Sequence, residues 1–152
     1  MTPAEAMNNP VADYVFMSQA GEPVRLSDLL GDREALVMVH NMGSHCPFCT
    51  EWADDFNRIV PELTDRMAFV VESADDPVVQ RDYHAARGWT FNMVSSQGTP
   101  FKKDMGFMDA QHRPIGGVSV FKRQAGKIVR TRRDAPTPAD DSSSVGYFFG
   151  LL

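Results

Sequence analysis

The fold is decided by residues 39–52, VHNMGSHCPFCTEW, which contain both cysteines of the chain. An apolar run at the start of this stretch leads to a Gly-Ser break, and an amphipathic pattern begins directly after Cys46. This order predicts a strand, a turn and a helix. Pro47 suits the first helical position, because its missing N–H costs nothing there and its fixed φ fits the helix.

The predicted helix start gives the cysteines different roles. Cys46 falls at the cap, where a sulfur faces unsatisfied backbone N–H groups and the positive end of the helix dipole. Both favour thiolate over thiol, so we expect a lowered pKa for Cys46 and assign it as the nucleophile. Cys49, three residues on, lies on the same helical face and can close a disulfide with Cys46.

The composition is that of an ordinary globular domain, with 152 residues of which 43% are hydrophobic and 23% charged. The start of the chain has no basic region followed by an apolar segment, and no window reaches membrane-spanning length. We therefore expect a cytoplasmic protein with no membrane partner. In that compartment a cysteine pair favours redox or metal chemistry over a structural disulfide. The net charge of -5 argues against a nucleic-acid partner.

Strand and helix patterns alternate through the first half of the chain, and a β-hairpin followed by a helix closes the second half. Strands are predicted over residues 35–42, 67–71 and 89–94, a hairpin over 118–130, and helices after Cys46, over 75–88, over 101–107 and from Asp140 onward. This order predicts an α/β fold, a central mixed β-sheet with helices on both faces. An N-terminal β-hairpin over residues 14–26 extends the sheet, residues 1–12 are expected to form a flexible N-terminal arm, and residues 13–152 a single domain.

Four segments carry a resemblance to a known family: HCPFC at 45–49, FVVES at 69–73, GVSVF at 117–121 and VGYFF at 145–149. With the strand-turn-helix order around the Cys-x-x-Cys pair, they resemble the thioredoxin superfamily. Within it they resemble a bacterial thioredoxin-like family, described mainly as predicted dithiol-disulfide oxidoreductases of unknown physiological substrate. The resemblance implies a thioredoxin-like fold for the single domain.

The resemblance also implies an activity, which is reversible disulfide exchange without a bound cofactor. Cys46 would attack a substrate disulfide and Cys49 would resolve the mixed disulfide. The implied partners are protein or small-molecule disulfides, with a reductase or a small thiol as electron donor. The expected substrate-binding residues are Pro47, Phe48, Gly117 and Val118.

The sequence departs from the superfamily at two places. The usual cis-proline before the strand that faces the cysteines would fall at Gly116 or Gly117, so the Arg113-Pro114 bond is the remaining candidate for a cis peptide. The buried acid that often lies six residues before the first cysteine is replaced here by His40. An imidazole is therefore the expected proton acceptor for Cys49.

Two histidines are candidate catalytic residues. His45 directly precedes the nucleophile and would favour the thiolate as imidazolium or take a proton as imidazole, although an exposed turn histidine is an equal interpretation. His40 lies in an otherwise apolar strand, where a hydrogen-bonded core histidine is the competing interpretation. Together His40, His45, Cys46 and Cys49 would also satisfy a zinc site, which ranks third because strand and helix positions make ligation by His40 awkward.

The sequence also leaves other interpretations open. Residues 21–29 also resemble the entry to peroxiredoxins, but the Pro-x-x-x-Thr/Ser-x-x-Cys motif fails at Val39 and Gly43, which leaves a peroxidase as a fold-level analogy. A non-catalytic binding module with a zinc or regulatory cysteine site is the further alternative. Glu72, Asp75 and Asp76 are expected to mark a helix start. Basic side chains are expected on the solvated face of the second hairpin, namely Lys122, Arg123, Lys127, Arg130, Arg132 and Arg133.

Overall fold

A computed structural model describes residues 2–134, 147–148 and 150–151 of the chain. Its strands are β1 Val15–Ser18, β2 Pro23–Arg25, β3 Ala35–His40, β4 Ala68–Ser73, β5 Asn92–Ser95, β6 Gly117–Gln124 and β7 Lys127–Asp134. Its helices are α1 Leu26–Leu30, α2 Pro47–Asn57, α3 Val60–Thr64, α4 Pro77–Arg87 and α5 Phe101–Met105. The predicted strands and helices within the described residues are all present, with ends that differ by a few residues.

The strands form a single mixed sheet in the order β2-β1-β5-β4-β3-β6-β7. The central strands β3, β4 and β5 run parallel, whereas β6 pairs antiparallel with β3 and then with β7. The predicted N-terminal hairpin is β1 and β2, and it joins the same sheet through antiparallel pairing of β1 with β5. The thioredoxin-like α/β architecture predicted from the sequence is therefore confirmed.

Alternation along β3 separates the two faces of the sheet, since successive side chains point to opposite sides. Val37 and Val39 pack with α2, α3 and residues flanking α4 on what we call the cysteine face. Leu36 and Met38 pack with α1 and α5 on the opposite side, which we call the α5 face. His40 follows the same alternation and lies on the α5 face, against Phe107. This parity decides which residues can meet the cysteines.

Prolines and glycines mark the predicted helix ends. Pro47 occupies the first turn of α2, and α2 ends at Asn57 before Pro61 enters the first turn of α3. Helix α4 ends at Gly88, whose φ of 68° is the left-handed conformation that glycine adopts most readily. The β6–β7 turn uses Ala125 and Gly126, with φ of 52° and 75°, as a two-residue hairpin requires.

The N-terminal segment, predicted to be a flexible arm, forms backbone hydrogen bonds with β7. Asn8 donates its backbone N–H to the Arg130 carbonyl at 2.9 Å, and Val11 donates to the Ile128 carbonyl at 2.9 Å. Ala6 is fully buried in the α5-face core. The structure therefore places this segment along β7, at the edge of the sheet.

Near the C-terminus, Phe148 is fully buried and stacks on Trp52 of α2, with ring centroids 6.1 Å apart. The predicted start of the last helix at Asp140 lies outside the described residues. No helix in the described part of the chain is both long enough and apolar enough to cross a membrane.

Candidate active site

Helix α2 begins as its sequence predicts, with a sulfur as its cap. Cys46 is the N-cap residue in an extended conformation, and Pro47 follows in the first turn. The backbone N–H of Cys49 donates to Cys46 Sγ at 3.2 Å. One of the unsatisfied amides of the helix start is thereby directed at the sulfur that the sequence assigns as nucleophile.

The two sulfurs lie side by side. Cys46 Sγ and Cys49 Sγ are free thiols 2.9 Å apart, and their residues are 8% and 6% exposed. Burial, together with the hydrogen bond to Cys46, raises the pKa of the Cys49 thiol to about 12. Cys49 therefore keeps its proton at neutral pH and can donate it in a hydrogen bond to Cys46. These two donors, the amide and the thiol of Cys49, can stabilise negative charge on Cys46 Sγ. The two sulfurs are also close enough to form a disulfide.

The loop before Cys46 is tied to the start of α4. Ser44 donates its backbone N–H to Asp75 Oδ2 at 3.0 Å. Gly43 has a φ of +121°, and a Cβ there would lie 2.9 Å from the His45 ring and 3.2 Å from Asp75 Oδ1. His45 is exposed, with its ring against Gly43. Asp75, expected only to mark a helix start, thus also anchors the cysteine loop, whereas Asp76 is the N-cap of α4.

The four predicted substrate-binding residues do not share one surface. Phe48 is 46% exposed and Pro47 is also exposed, both beside the cap. In contrast, Val118 is 1% exposed and belongs to the cysteine-face core. Gly117 is buried too, and a Cβ there would come within 2.3 Å of the Phe107 ring. Of the four, Pro47 and Phe48 therefore expose their side chains beside Cys46, whereas Gly117 and Val118 do not.

The backbone before β6 approaches the cysteine loop without a cis-proline. Gly116 occupies the place expected for it, where a Cβ would lie 3.6 Å from Met42 Cγ. No cis peptide bond occurs in the described residues, and the Arg113-Pro114 bond is therefore trans. Met42 of the cysteine loop also lies close to Cys46, with 3.9 Å between Met42 Sδ and Cys46 Sγ.

His40 is held by hydrogen bonds on the α5 face. Its Nδ1 lies 2.7 Å from Glu72 Oε1, and its Nε2 lies 2.8 Å from Ser119 Oγ. Burial lowers the pKa of His40 to about 4, although Glu72 acts in the opposite direction. The imidazole is therefore neutral at physiological pH. Since a carboxylate only accepts, Nδ1 carries the proton and Nε2 accepts from the Ser119 hydroxyl.

Glu72 is the centre of a set of buried, hydrogen-bonded side chains that we call the buried polar row. Its members are His40, Glu72, Lys102, Ser119 and Arg130. Its Oε1 also accepts from Lys102 Nζ at 2.8 Å, and its Oε2 accepts from Ser96 Oγ at 2.7 Å. Burial alone raises the pKa of Glu72, but the Lys102 charge and the hydrogen bonds from His40 and Lys102 outweigh it and lower the pKa to about 2. A fully buried, ionised carboxylate thus lies in an ion pair.

The row continues to the edge strand β7 through Arg130. Its Nη1 donates to the Met105 carbonyl at 2.7 Å and to Ser119 Oγ at 3.3 Å. Arg130 is 0% exposed, so its expected place on the solvated face of the hairpin is wrong. Burial, followed by the charge of Arg133, lowers the pKa of Arg130 to about 10, which still leaves it charged at neutral pH.

This arrangement removes two expectations about His40. Both ring nitrogens are hydrogen-bonded to Glu72 and Ser119, so the imidazole has no free lone pair to accept the Cys49 proton. The same bonds hold His40 away from a zinc site with His45 and the cysteines. Across the described part of the chain, no group of three or more His, Cys, Asp or Glu side chains is arranged to hold a metal ion.

Several side chains near the cysteines were missed as site residues. Tyr83 lies within the helix predicted over residues 75–88 and was given no site role, yet its hydroxyl lies 2.5 Å from Thr50 Oγ1, and burial and the nearby sulfurs raise its pKa. The sequence did not indicate a buried role for Lys102, because it precedes a second lysine on a short helix. It did indicate an unusual role for Glu72, since this is the single charged residue within a buried strand.

The chain matches one protein family and is similar in fold to several solved structures. Residues 5–142 match the family described as bacterial protein of unknown function (DUF899). No curated protein matches the chain. Peroxidoxin BcpB from Mycobacterium tuberculosis is 23% identical over 87% of this chain and 88% of its own, with a TM-score of 0.67.

Two further solved structures are similar. Reduced Prx3 from Vibrio vulnificus in complex with h2o2 is 14% identical over 97% of this chain and 99% of its own, with a TM-score of 0.75. Peroxiredoxin Q from Xanthomonas campestris is 17% identical over 100% of this chain and 97% of its own, with a TM-score of 0.71. At these identities the likeness shows the fold. The chain thus belongs to the DUF899 family of bacterial proteins of unknown function, built on the thioredoxin-like fold that peroxiredoxins share.

Proposed function

We propose that this protein is a thiol-disulfide oxidoreductase that cycles between dithiol and disulfide at Cys46 and Cys49. The observation that carries the proposal is the pair of free sulfurs 2.9 Å apart at the start of α2. The amide of Cys49 and its protonated thiol are both placed to stabilise a thiolate on Cys46. A charged nucleophile and a neutral resolving thiol are what sequential disulfide exchange needs.

The reaction has two exchange steps. The Cys46 thiolate attacks one sulfur of a substrate disulfide, the substrate S–S bond breaks, and the other substrate sulfur leaves as a thiolate that takes a proton from water. Cys49 then loses its proton to solvent, attacks Cys46 Sγ and releases the second substrate thiol. Two electrons pass to the substrate, and a reductase or small thiol returns them by reducing the Cys46–Cys49 disulfide.

The exposed surface beside Cys46 supports a substrate that is either a protein disulfide or a small-molecule disulfide. Phe48 offers an apolar ring next to the nucleophile, and Pro47 shapes the same surface. His45 is exposed directly before Cys46 and would favour the thiolate when protonated. We place the reaction in the cytoplasm, in the reducing direction, because thiols there are kept reduced.

Insulin reduction tests the proposal. We expect turnover by the native protein, none by Cys46→Ser, and a single captured mixed disulfide with Cys49→Ser. Turnover that survives loss of Cys46 would exclude this mechanism. Stoichiometric zinc in purified protein that shows no exchange would instead favour a binding module.

A peroxidase is the second candidate, favoured by the likeness of the fold to peroxiredoxins. The Cys46 thiolate would attack one peroxide oxygen, the O–O bond would break with release of water, and Cys49 would condense with the resulting sulfenic acid to give the disulfide and a second water. Val39 and Gly43 stand where peroxiredoxins carry proline and a hydroxyl, which argues against it. Peroxide consumption by Cys49→Ser with an added small thiol would establish the peroxidase, and its absence would remove it.

A further inference from the structure

Lys102 is a buried cation with two partners. The residue is 2% exposed in α5, and its Nζ lies 2.8 Å from Glu72 Oε1. The same Nζ also donates to the Asn41 carbonyl at 3.3 Å. A buried ammonium needs a compensating carboxylate, and Glu72 supplies it. The second bond is directed at the backbone just after β3, where the cysteine loop begins.

That second bond leads to Cys49 through one peptide group. The carbonyl of Asn41 and the N–H of Met42 belong to the same peptide unit, and the Met42 N–H donates to Cys49 Sγ at 3.4 Å. The ammonium of Lys102 and the sulfur of Cys49 therefore lie at opposite ends of one peptide dipole. A cation at the carbonyl oxygen polarises the peptide and makes its N–H a stronger donor, because linked hydrogen bonds strengthen one another.

We propose that Lys102 is a positioning residue for the resolving step, and that it stabilises the Cys49 thiolate through the Asn41–Met42 peptide group. This inference rests on the proposed function, since it concerns the second exchange at the same site. Lys102 keeps its proton throughout and acts by its charge. The proton of Cys49 leaves to solvent, the thiolate attacks Cys46 Sγ, and the substrate sulfur leaves as the new S–S bond forms.

The groups that face Cys49 act in opposite directions. Burial and the hydrogen bond to Cys46, on the same helix, raise the pKa of Cys49, whereas the Met42 N–H and the charge of Lys102 lower it. Tyr83 of α4 lies near the same sulfur as a neutral phenol at physiological pH, since burial raises its pKa. Lys102 is therefore the side chain placed to ease ionisation of a thiol that its surroundings otherwise keep protonated.

A chromogenic aryl disulfide separates the two steps in one stopped-flow trace. Attack by Cys46 releases one coloured thiolate, and resolution by Cys49 releases a second. With Lys102→Met we expect the first phase to stay at its native rate and the second to slow by about tenfold, the change that one pKa unit makes in the thiolate fraction. When the second-phase rate is measured between about pH 6 and 9, its pH profile in Lys102→Met should lie about one pH unit higher than in the native protein.

Matched variants keep this test decisive. Lys103→Met removes an exposed neighbouring charge and should leave both phases unchanged. Lys102→Arg retains the charge and should restore most of the second-phase rate. If Lys102→Met does not fold with Glu72 unpaired, the double variant Lys102→Met, Glu72→Gln removes both charges and should show the same slow second phase.

Each outcome has a distinct meaning. A native second-phase rate in folded Lys102→Met or in the double variant would overturn the role of Lys102. Loss of the first phase in the native protein would overturn the proposed function instead. In that case alkylation of Cys49 in Cys46→Ser would test the inference by itself, with slower alkylation on adding Lys102→Met supporting it and an equal rate overturning it.

Discussion

The cysteine pair and the buried polar row are neighbours near the carboxyl ends of β3 and β4, yet they are built in different ways. The pair comes from one short stretch at the start of α2, so its geometry follows from helix capping. The row is assembled from β3, β4, β6, β7 and α5, with Glu72, His40, Ser119, Arg130 and Lys102 brought together by strand register and helix packing. Chemistry that is local in sequence can be predicted from sequence, whereas chemistry that depends on register cannot.

The two regions also differ in how they carry charge. The cysteine pair holds two nearly buried thiols, of which Cys49 keeps its proton at neutral pH because its pKa is raised. The row holds a fully buried ion pair, Glu72 with Lys102. Removing one member of a buried pair leaves an uncompensated charge, so we expect changes in the row to lower stability, with Lys102 also affecting the second exchange step, and changes in the cysteine pair to affect reactivity.

Glu72→Ala should produce the largest loss of stability. It leaves the Lys102 ammonium buried without its carboxylate, which costs about 3–5 kcal/mol in other proteins. Urea denaturation measures the free energy of unfolding. Asp82→Ala is the matched control because Asp82 pairs with Arg81 at the surface, and no measurable change is expected there. Equal effects of the two substitutions would show that the buried ion pair contributes no more to stability than a surface pair.

The row should also make stability depend on acid. The pKa of His40 is about 4 when folded and 6.5 as the ordinary value, so between these pH values the unfolded chain binds a proton that the folded protein does not. The contribution of His40 to the free energy of unfolding is therefore fully present above pH 6.5. It decreases as the pH drops toward 4, by up to about 1.4 kcal/mol per pH unit. Glu72 continues the loss from pH 4.5 toward 2, because its folded pKa is also lowered.

Urea denaturation at successive pH values checks this dependence. In His40→Gln the fall between pH 6.5 and 4 should be reduced, because that side chain no longer titrates. His112→Asn is the control, since His112 is exposed with a φ of 61°, a conformation that asparagine tolerates. A slope that His112→Asn reduces and His40→Gln does not would show that the acid sensitivity lies elsewhere.

The smallest expected effect concerns the residues first assigned to substrate binding. Val118→Ala should cost about 2 kcal/mol of stability, because it opens a cavity in the core. Phe48→Ala should change stability by less than about 0.5 kcal/mol, since its ring is largely exposed, but it should raise the KM for insulin. Urea denaturation and insulin-reduction kinetics on both variants measure these effects. A raised KM with Val118→Ala alone would instead assign substrate binding to Val118 and not to Phe48.

Most of the fold was predictable because its signals are local. Apolar runs marked β3 and β4, while Pro47 and Gly88 marked helix ends. The side-chain environment of His40 was not predictable, because β3 is buried on both faces and its pattern does not say which face α2 covers.

Arg130 was missed for a related reason. A basic residue in a hairpin is usually solvated, but Arg130 is fully buried and donates to carbonyl oxygens of the N-terminal segment and of α5. The row therefore had partial signals in the sequence, such as the lone Glu72 in an apolar strand, but no signal for which residues would meet. The packing of distant segments supplied that information.

The most direct test of the account is a redox titration of the cysteine pair, followed by alkylation and mass spectrometry of the peptide that contains Cys46 and Cys49. We expect one two-electron transition between the dithiol and an intramolecular disulfide, with a midpoint in the thioredoxin-like range of roughly -270 to -120 mV. Two thiols that remain alkylatable at every potential, or that form only mixed disulfides with the redox buffer, would contradict it.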